Sequence, residues 1–208
     1  ATGLRLIATA VTQRAFLVLD EPDCWIRSDI LPNFIDVITR YSRELGIQVI
    51  LISHHTLTGL SDREFILEND NKKTWISDIR DNDFGFEDKN EHTKIESVQL
   101  KNFMQYEDVT FELSPFVNIF TGANNIGKSG LVQGLRCIFY NEKPHNFIRH
   151  SKTSSDIFIN FNTKQQLFYT AKQTKSSKTV VWRLIDENAP AQEKLSEEER
   201  NKDDPEHK

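Results

Sequence analysis

Three short, largely apolar runs stand out along the chain: Ala15–Leu19 (AFLVL), Gln48–Ile52 (QVILI) and Phe116–Phe120 (FVNIF). None alternates with polar residues and none exceeds strand length, so each predicts a strand buried on both faces of a parallel sheet. Between the first two, Ile30, Phe34, Val37, Ile38, Tyr41 and Leu45 recur at helical spacing. This predicts a helix over Asp29–Leu45 with Ser28 as its cap, Pro32 in its first turn and Gly46 as its stop. Strand, helix and strand with short joints make a βαβ unit. Leu4–Thr12 is mostly apolar and predicts a helix ahead of it, and Gly130–Tyr140 predicts an amphipathic helix behind the third run.

Elsewhere the pattern is that of shorter or half-exposed strands. Glu64–Leu67 and Thr74–Asp78 flank an Asn-Asp-Asn turn. Lys94–Asn102 and Val109–Leu113 predict an antiparallel pair, and Asp156–Asn162, Gln166–Ala171 and Thr179–Ile185 predict an antiparallel sheet. Residues 81–93 are polar and carry Gly85, as a linker would. Residues 186–208 are charged, with Pro190 and Pro205, and predict a flexible acidic tail. The expected fold class is α/β, with a mostly parallel core sheet plus an antiparallel β subdomain.

Composition narrows the function. The chain has 208 residues and a formal charge of −5. The segment from Asp186 onward holds nine acids and four bases, so the 185 residues before it are neutral, with 22 charges of each sign. The body therefore carries no basic excess for nucleic acid. No apolar run reaches eighteen residues, which predicts no helical membrane span. Cys24 and Cys137 lie far apart and no Cys-x-x-Cys pair occurs, so reduced thiols and a cytoplasmic setting are expected. No secretory leader pattern opens the chain. Residue 1 is alanine and Met104 is the single methionine, which reads as a piece, a processed product or an engineered form of a longer protein.

The most specific motif is Gly122-Ala123-Asn124-Asn125-Ile126-Gly127-Lys128-Ser129, followed by Gly130. It fits Gly-x-x-x-x-Gly-Lys-Ser/Thr in full and sits between a buried strand and a helix, as a phosphate-binding loop must. Glycines let backbone N–H groups close on phosphate oxygens, and the helix N-terminus adds positive potential. Lys128 would reach the β- and γ-phosphates of ATP, and the Ser129 hydroxyl would ligate Mg²⁺. The first strand ends in Asp20-Glu21-Pro22, at the sheet edge where α/β folds bind ligands. On its own such a triplet is an ordinary turn. Beside a phosphate loop it supplies a metal-holding carboxylate, Asp20, and a base for water, Glu21. The second strand ends in Ser53-His54-His55. His54 reads as a γ-phosphate sensor and His55 as a surface residue.

Taken together, these pieces resemble the ABC-type ATPase heads of the SMC/RecF/RecN class, which includes the ATPase subunit of double-strand-break-repair nuclease complexes. Phe103–Leu113 with Val117–Gly122 is similar to that family's opening strands. Phe147–His150 with Asp156–Phe161 is similar to the segment after its first helix. Leu17–Asp23 resembles its Walker B and D-loop stretch, Ser53-His54 its switch histidine, and Ala1–Arg5 the tail of its signature motif. The family's Q-loop glutamine, a metal ligand, falls to Gln192. The order differs, because here the Asp-Glu strand comes first. The resemblance implies a C-terminal-type lobe over residues 1–80, a linker over 81–93, an N-terminal-type lobe over 94–185 and the tail over 186–208.

The resemblance further implies an Mg²⁺-dependent ATPase that works by ATP-driven dimerisation of heads, as a homodimer or pseudo-dimer. Its setting would be DNA repair, recombination or chromosome organisation, in the cytoplasm, nucleoid or nucleus. DNA and a separate nuclease subunit are the expected partners, with no membrane. Lys164, Lys172, Lys175, Lys178 and Arg183 form the one basic-leaning sheet region. The alternatives are a phage-defence or nuclease-partnered ATPase, a non-hydrolysing ATP-dependent clamp, and a transporter-type subunit, which the opening strands disfavour.

Overall fold

Gln48–Ile52 and Val117–Thr121 are buried at every position, as strands covered on both faces must be. In the computed structural model, residues 15–187 are described, apart from residues 25, 56, 58, 86–91, 141–146 and 175–177. Those two runs, β2 (Gln48–Ile52) and β7 (Val117–Thr121), pair in parallel at the centre of four strands. β1 (Phe16–Asp20) lies parallel outside β2, and β3 (Arg63–Asn69) lies parallel outside β7.

From β3 outward the sheet changes character. β4 (Thr74–Asp81) is antiparallel to β3. β5 (Ile95–Phe103), β6 (Tyr106–Glu112), β8 (Ser154–Phe161), β9 (Gln165–Gln173) and β10 (Lys178–Asp186) continue antiparallel. The order is β1-β2-β7-β3-β4-β6-β5-β8-β9-β10 in one ten-stranded sheet among the described residues. This corrects the expected mostly parallel core with an attached subdomain. The sheet is mixed and mostly antiparallel, because the β3–β4 hairpin joins the parallel strands to the rest. The seam is narrow: β4 meets β6 in parallel at the pair Thr74↔Tyr106.

Period-two alternation sorts the core. Val49 and Leu51 face one side with Leu19, Val117 and Ile119, against Leu31, Ile35 and Ile38 of α1 (Leu31–Leu45). Ile50 and Ile52 face the other side with Phe65 and Phe120, and with Leu131 and Leu135 of α2 (Lys128–Tyr140). Phe111 of β6 is edge-on to both Phe65 and Phe120, at 5.7 and 5.2 Å between ring centroids. β6 is three strands from β7 in the sheet order, so this contact requires the sheet to curl over α2.

Segments on either side of the polar stretch after β4 are stitched together. Gln48 is fully buried; its amide donates to the Ile95 and Ser114 carbonyls, and its oxygen accepts from Ile95 N–H. Asp62 accepts from Arg43 at 2.6 Å and from Val117 N–H at 2.9 Å, which ties α1 to β7. β7 itself lies between β2 and β3.

Local predictions shift at element ends. α1 begins at Leu31 with Ile30 as N-cap and no side-chain cap, so Ser28 does not cap it; Gly46 ends it at φ 65°. α2 begins two residues early, at Lys128. Asp81 is the last residue of β4 and Asp186 the last of β10. The expected helix over Leu4–Thr12 lies outside the described residues, as do residues 188–208 of the tail. No helix among the described residues is long and apolar enough to cross a membrane.

Candidate functional site

The loop from Gly122 to Ser129 leaves the buried end of β7 and enters α2. Its bend needs glycine at two places. Gly122 sits at φ 140°, and a Cβ there would approach the Leu67 carbonyl oxygen to 2.5 Å. Gly127 sits at φ 102°, and a Cβ would stand 2.7 Å from Gln105 Oε1 and 2.8 Å from Thr74 Oγ1. Asn125 takes a left-handed φ of 62°, a conformation that asparagine tolerates better than most residues. At the far end Gly130 N–H donates to the Gly127 carbonyl at 2.8 Å, closing the first turn of α2.

Lys128 is buried in the concavity of this loop. Its ammonium donates to the Gly122 and Ala123 carbonyls, each at 2.8 Å, and lies 3.3 Å from His54 Nδ1. An ammonium has no acceptor. His54 Nδ1 must therefore accept, which places the imidazole proton on Nε2. That nitrogen lies 2.7 Å from Glu21 Oε1, so the chain Lys128–His54–Glu21 runs from phosphate loop to carboxylate within one polypeptide. Burial holds the Lys128 pKa below its ordinary value, opposed by Glu21, Asp20 and Asp23.

Glu21 adopts φ 48° although it carries a side chain. Such backbone strain concentrates at functional sites and costs on the order of 1–3 kcal/mol. The turn is fixed by Glu21 N–H donating to the Ile52 carbonyl at 3.1 Å, and by Ser53 Oγ–H donating to buried Asp23 at 2.5 Å. These bonds clamp the ends of β1 and β2, which carry Glu21 and His54.

Glu21, His54, Asn124, Asn125, Gly127, Lys128, Ser129 and Gly130 thus meet around one cleft of about 660 Å³, joined by Met104, Gln105 and Gln133. Gly122 and Ala123 contribute carbonyls to Lys128, and Ile126 is buried behind the loop. Asp20 ends β1 beside Glu21 without lining the cleft. Partial burial and the Glu21 charge raise its pKa, against Arg136, His54 and Lys128. His55 is exposed and donates its N–H to Ser53 Oγ. Gln192 and the Ala1–Arg5 stretch lie outside the described residues.

Asp20, Glu21 and Asp23 bring negative charge near Lys128, although no group of three metal-ligating side chains comes together among the described residues. The Ser129 hydroxyl on the first turn of α2 supplies a neutral oxygen donor.

Asp23 and Ser53, neighbours of the motif residues Glu21 and His54, brace the carboxylate side of the loop. Thr74 on β4, Gln105 in the turn before β6 and Tyr106 on β6 back the loop, and only the fold brings these three there.

The comparisons with known proteins bear on the family of the chain. A family model described as an AAA ATPase domain matches residues 94–207, more than half of the chain. The chain belongs to the AAA ATPase domain family. Membership carries a P-loop NTPase fold and a nucleotide site, and the matched span holds the loop Gly122–Ser129. The chain is also similar to proteins named DNA replication and repair protein RecF. It is 44% identical over 41 residues to those of Listeria welshimeri and Listeria monocytogenes, and 43% over 42 residues to that of Staphylococcus haemolyticus. Each match takes in 20% of this chain and 11% of the relative, so the stretch spans about a tenth of the length of those curated relatives.

Proposed function

We propose that this chain is the ATP-binding and hydrolysing head of a RecF/SMC-like protein acting in DNA repair, recombination or chromosome organisation. The observation that carries this reading is the continuous chain of contacts from the phosphate loop through Lys128 and His54 to Glu21. In the proposal the loop's N–H groups and the α2 N-terminus hold the β- and γ-phosphates. Lys128 exchanges its loop carbonyl acceptors for phosphate oxygens. Ser129 and Asp20 would hold Mg²⁺, which would supply charge neutralisation on the phosphates. Glu21 accepts the proton of the attacking water, and His54 Nε2–H holds the Glu21 carboxylate in place by a hydrogen bond.

Two further parts of the reading rest on resemblance. Residues 1–80 and 94–185 are taken as the two halves of an ABC-like head in reversed order. Insertion of β7 between β2 and β3 supports this, since one sheet needs both halves. Dimerisation of heads through ATP, DNA as partner, a separate nuclease subunit and a DNA-associated cytoplasmic setting are what the resemblance to the SMC/RecF/RecN class implies.

The test is ATP turnover measured beside oligomeric state. Wild type should hydrolyse ATP with Mg²⁺ and form dimers when ATP is present. Glu21→Gln should bind ATP, stay dimeric and turn over at least about 100-fold more slowly, as expected for loss of a positioned base. Equal turnover by Glu21→Gln would remove Glu21 from the mechanism.

A further inference from the structure

The seam of the sheet lies directly behind the phosphate loop. β4 and β6 meet at Thr74↔Tyr106, where Thr74 N–H donates to the Gln105 carbonyl at 2.9 Å. Both side chains of that pair turn to the loop. Thr74 Oγ–H donates to the Ile126 carbonyl at 2.5 Å, and Tyr106 O–H donates to the Gly127 carbonyl at 2.8 Å. Both residues are buried, Thr74 at 1% and Tyr106 at 0% exposure. Burial also holds the Tyr106 hydroxyl far above its ordinary pKa, so it stays a donor at any working pH.

A peptide group is planar and its C=O and N–H point to opposite sides. A hydroxyl gripping the Ile126 carbonyl from behind therefore turns the Gly127 N–H forward. The same grip on the Gly127 carbonyl turns the Lys128 N–H forward. We propose that Thr74 and Tyr106 are positioning residues that aim the Gly127 and Lys128 amides into the cleft for an anionic phosphate. The inference rests on the nucleotide reading of this cleft and adds the groups that preorganise it. Neither residue touches the phosphate. Each acts through a carbonyl, so the loop does not need to reorient its amides when it binds.

The hydroxyls can be removed almost without change of shape. Tyr106→Phe deletes the bond to Gly127, and Thr74→Val deletes the bond to Ile126 together with the one that Thr74 Oγ1 accepts from Asn69 Nδ2 at 3.0 Å; losing the grip on one loop carbonyl corresponds to roughly a fivefold to tenfold loss of affinity. Calorimetric titration of the full chain with Mg-ATP, and separately with inorganic pyrophosphate, reads that loss. Both ligands should weaken by the same factor, because the effect falls on phosphate. Thr74→Ser keeps the hydroxyl and should restore affinity to within about twofold of wild type.

Thermal melting without nucleotide separates this from stability alone. If Thr74→Val and Tyr106→Phe lower the melting temperature but bind both ligands like wild type, the positioning role is overturned. Equal weakening in Thr74→Ser and Thr74→Val overturns it as well. Should Tyr106→Phe fail to fold, the Val/Ser comparison at Thr74 still decides. Lys128→Ala tests the underlying reading separately. If that variant retains full ATP affinity the cleft is not the nucleotide site, whereas loss of binding there with none at Thr74 or Tyr106 overturns the present inference alone.

Discussion

Gly127→Ala perturbs the loop at the point where backbone and packing constraints coincide. At φ 102° an L-residue is strained, and a left-handed backbone alone costs about 1–2 kcal/mol. The added methyl would lie 2.7 Å from Gln105 Oε1 and 2.8 Å from Thr74 Oγ1, and such overpacking costs about 1–3 kcal/mol. Together they amount to about 2–5 kcal/mol. The loop can escape by swinging the Ile126–Gly127 peptide, which abandons the Thr74 bond and turns an amide away from the cleft. Most of the penalty should therefore fall on nucleotide affinity, with the melting temperature little changed. At 1.4 kcal/mol per tenfold, ATP should bind at least about 30-fold more weakly. Adding Gln105→Ala removes one of the two clashes and should recover part of the loss, leaving the backbone strain. Isothermal titration with Mg-ATP and a parallel melting curve measure both quantities. Binding within about threefold of wild type, at an unchanged melting temperature, would show that a side chain at position 127 costs the loop neither strain nor a misdirected amide.

Other perturbations probe separate parts of the account. Tyr169 buries a hydroxyl with no hydrogen-bond partner among the described residues, and burial pushes its pKa up to about 12; Tyr169→Phe should leave stability unchanged or raise it by up to about 1 kcal/mol in thermal or urea unfolding. Asp62→Ala breaks the half-buried pair with Arg43 and the bond to Val117 N–H, and urea unfolding should show a loss of about 1–3 kcal/mol. For Asp20 the folded pKa lies above the unfolded value, so its contribution is most favourable at acid pH and is lost as pH rises through the folded value. Asp20→Asn should therefore raise the melting temperature slightly at neutral pH. That gain should vanish as pH falls below the carboxylate range, and the variant should lose any Mg²⁺-dependent shift.

Much of the architecture was legible because its signals are local. The runs at Gln48–Ile52 and Phe116–Phe120 lack alternation, and the strands they predict pair with each other in the middle of the four parallel strands. Gly46 stops α1 because only a left-handed residue can follow Leu45 there. The phosphate loop was legible as a motif, since its glycines answer needs of its own backbone. What could not be read depends on distant partners. Glu64–Leu67 and Thr74–Asp78 read as a minor hairpin, yet that hairpin joins the parallel strands to the antiparallel ones and puts Thr74 behind the loop. Tyr106 and Gln105 lie some twenty residues from the loop in sequence, and no spacing rule links a turn after Phe103 to a carbonyl at Gly127. That the parallel and the antiparallel strands share one sheet depends on the same kind of distant pairing: apolar runs report burial, not which strand continues the sheet beyond β3.

At the centre of the account is the claim that Lys128 and Glu21 of one polypeptide serve the same nucleotide. Subunit mixing tests it directly. Lys128→Ala and Glu21→Gln are each expected to be inactive alone, and ATPase activity is measured after combining them in equal amounts under conditions where heads exchange. With both groups acting on a nucleotide held by their own chain, every site in a mixed dimer keeps one lesion and the mixture stays inactive. Recovery of a substantial fraction of wild-type turnover would mean that the lysine of one chain works with the carboxylate of another, and would contradict the account.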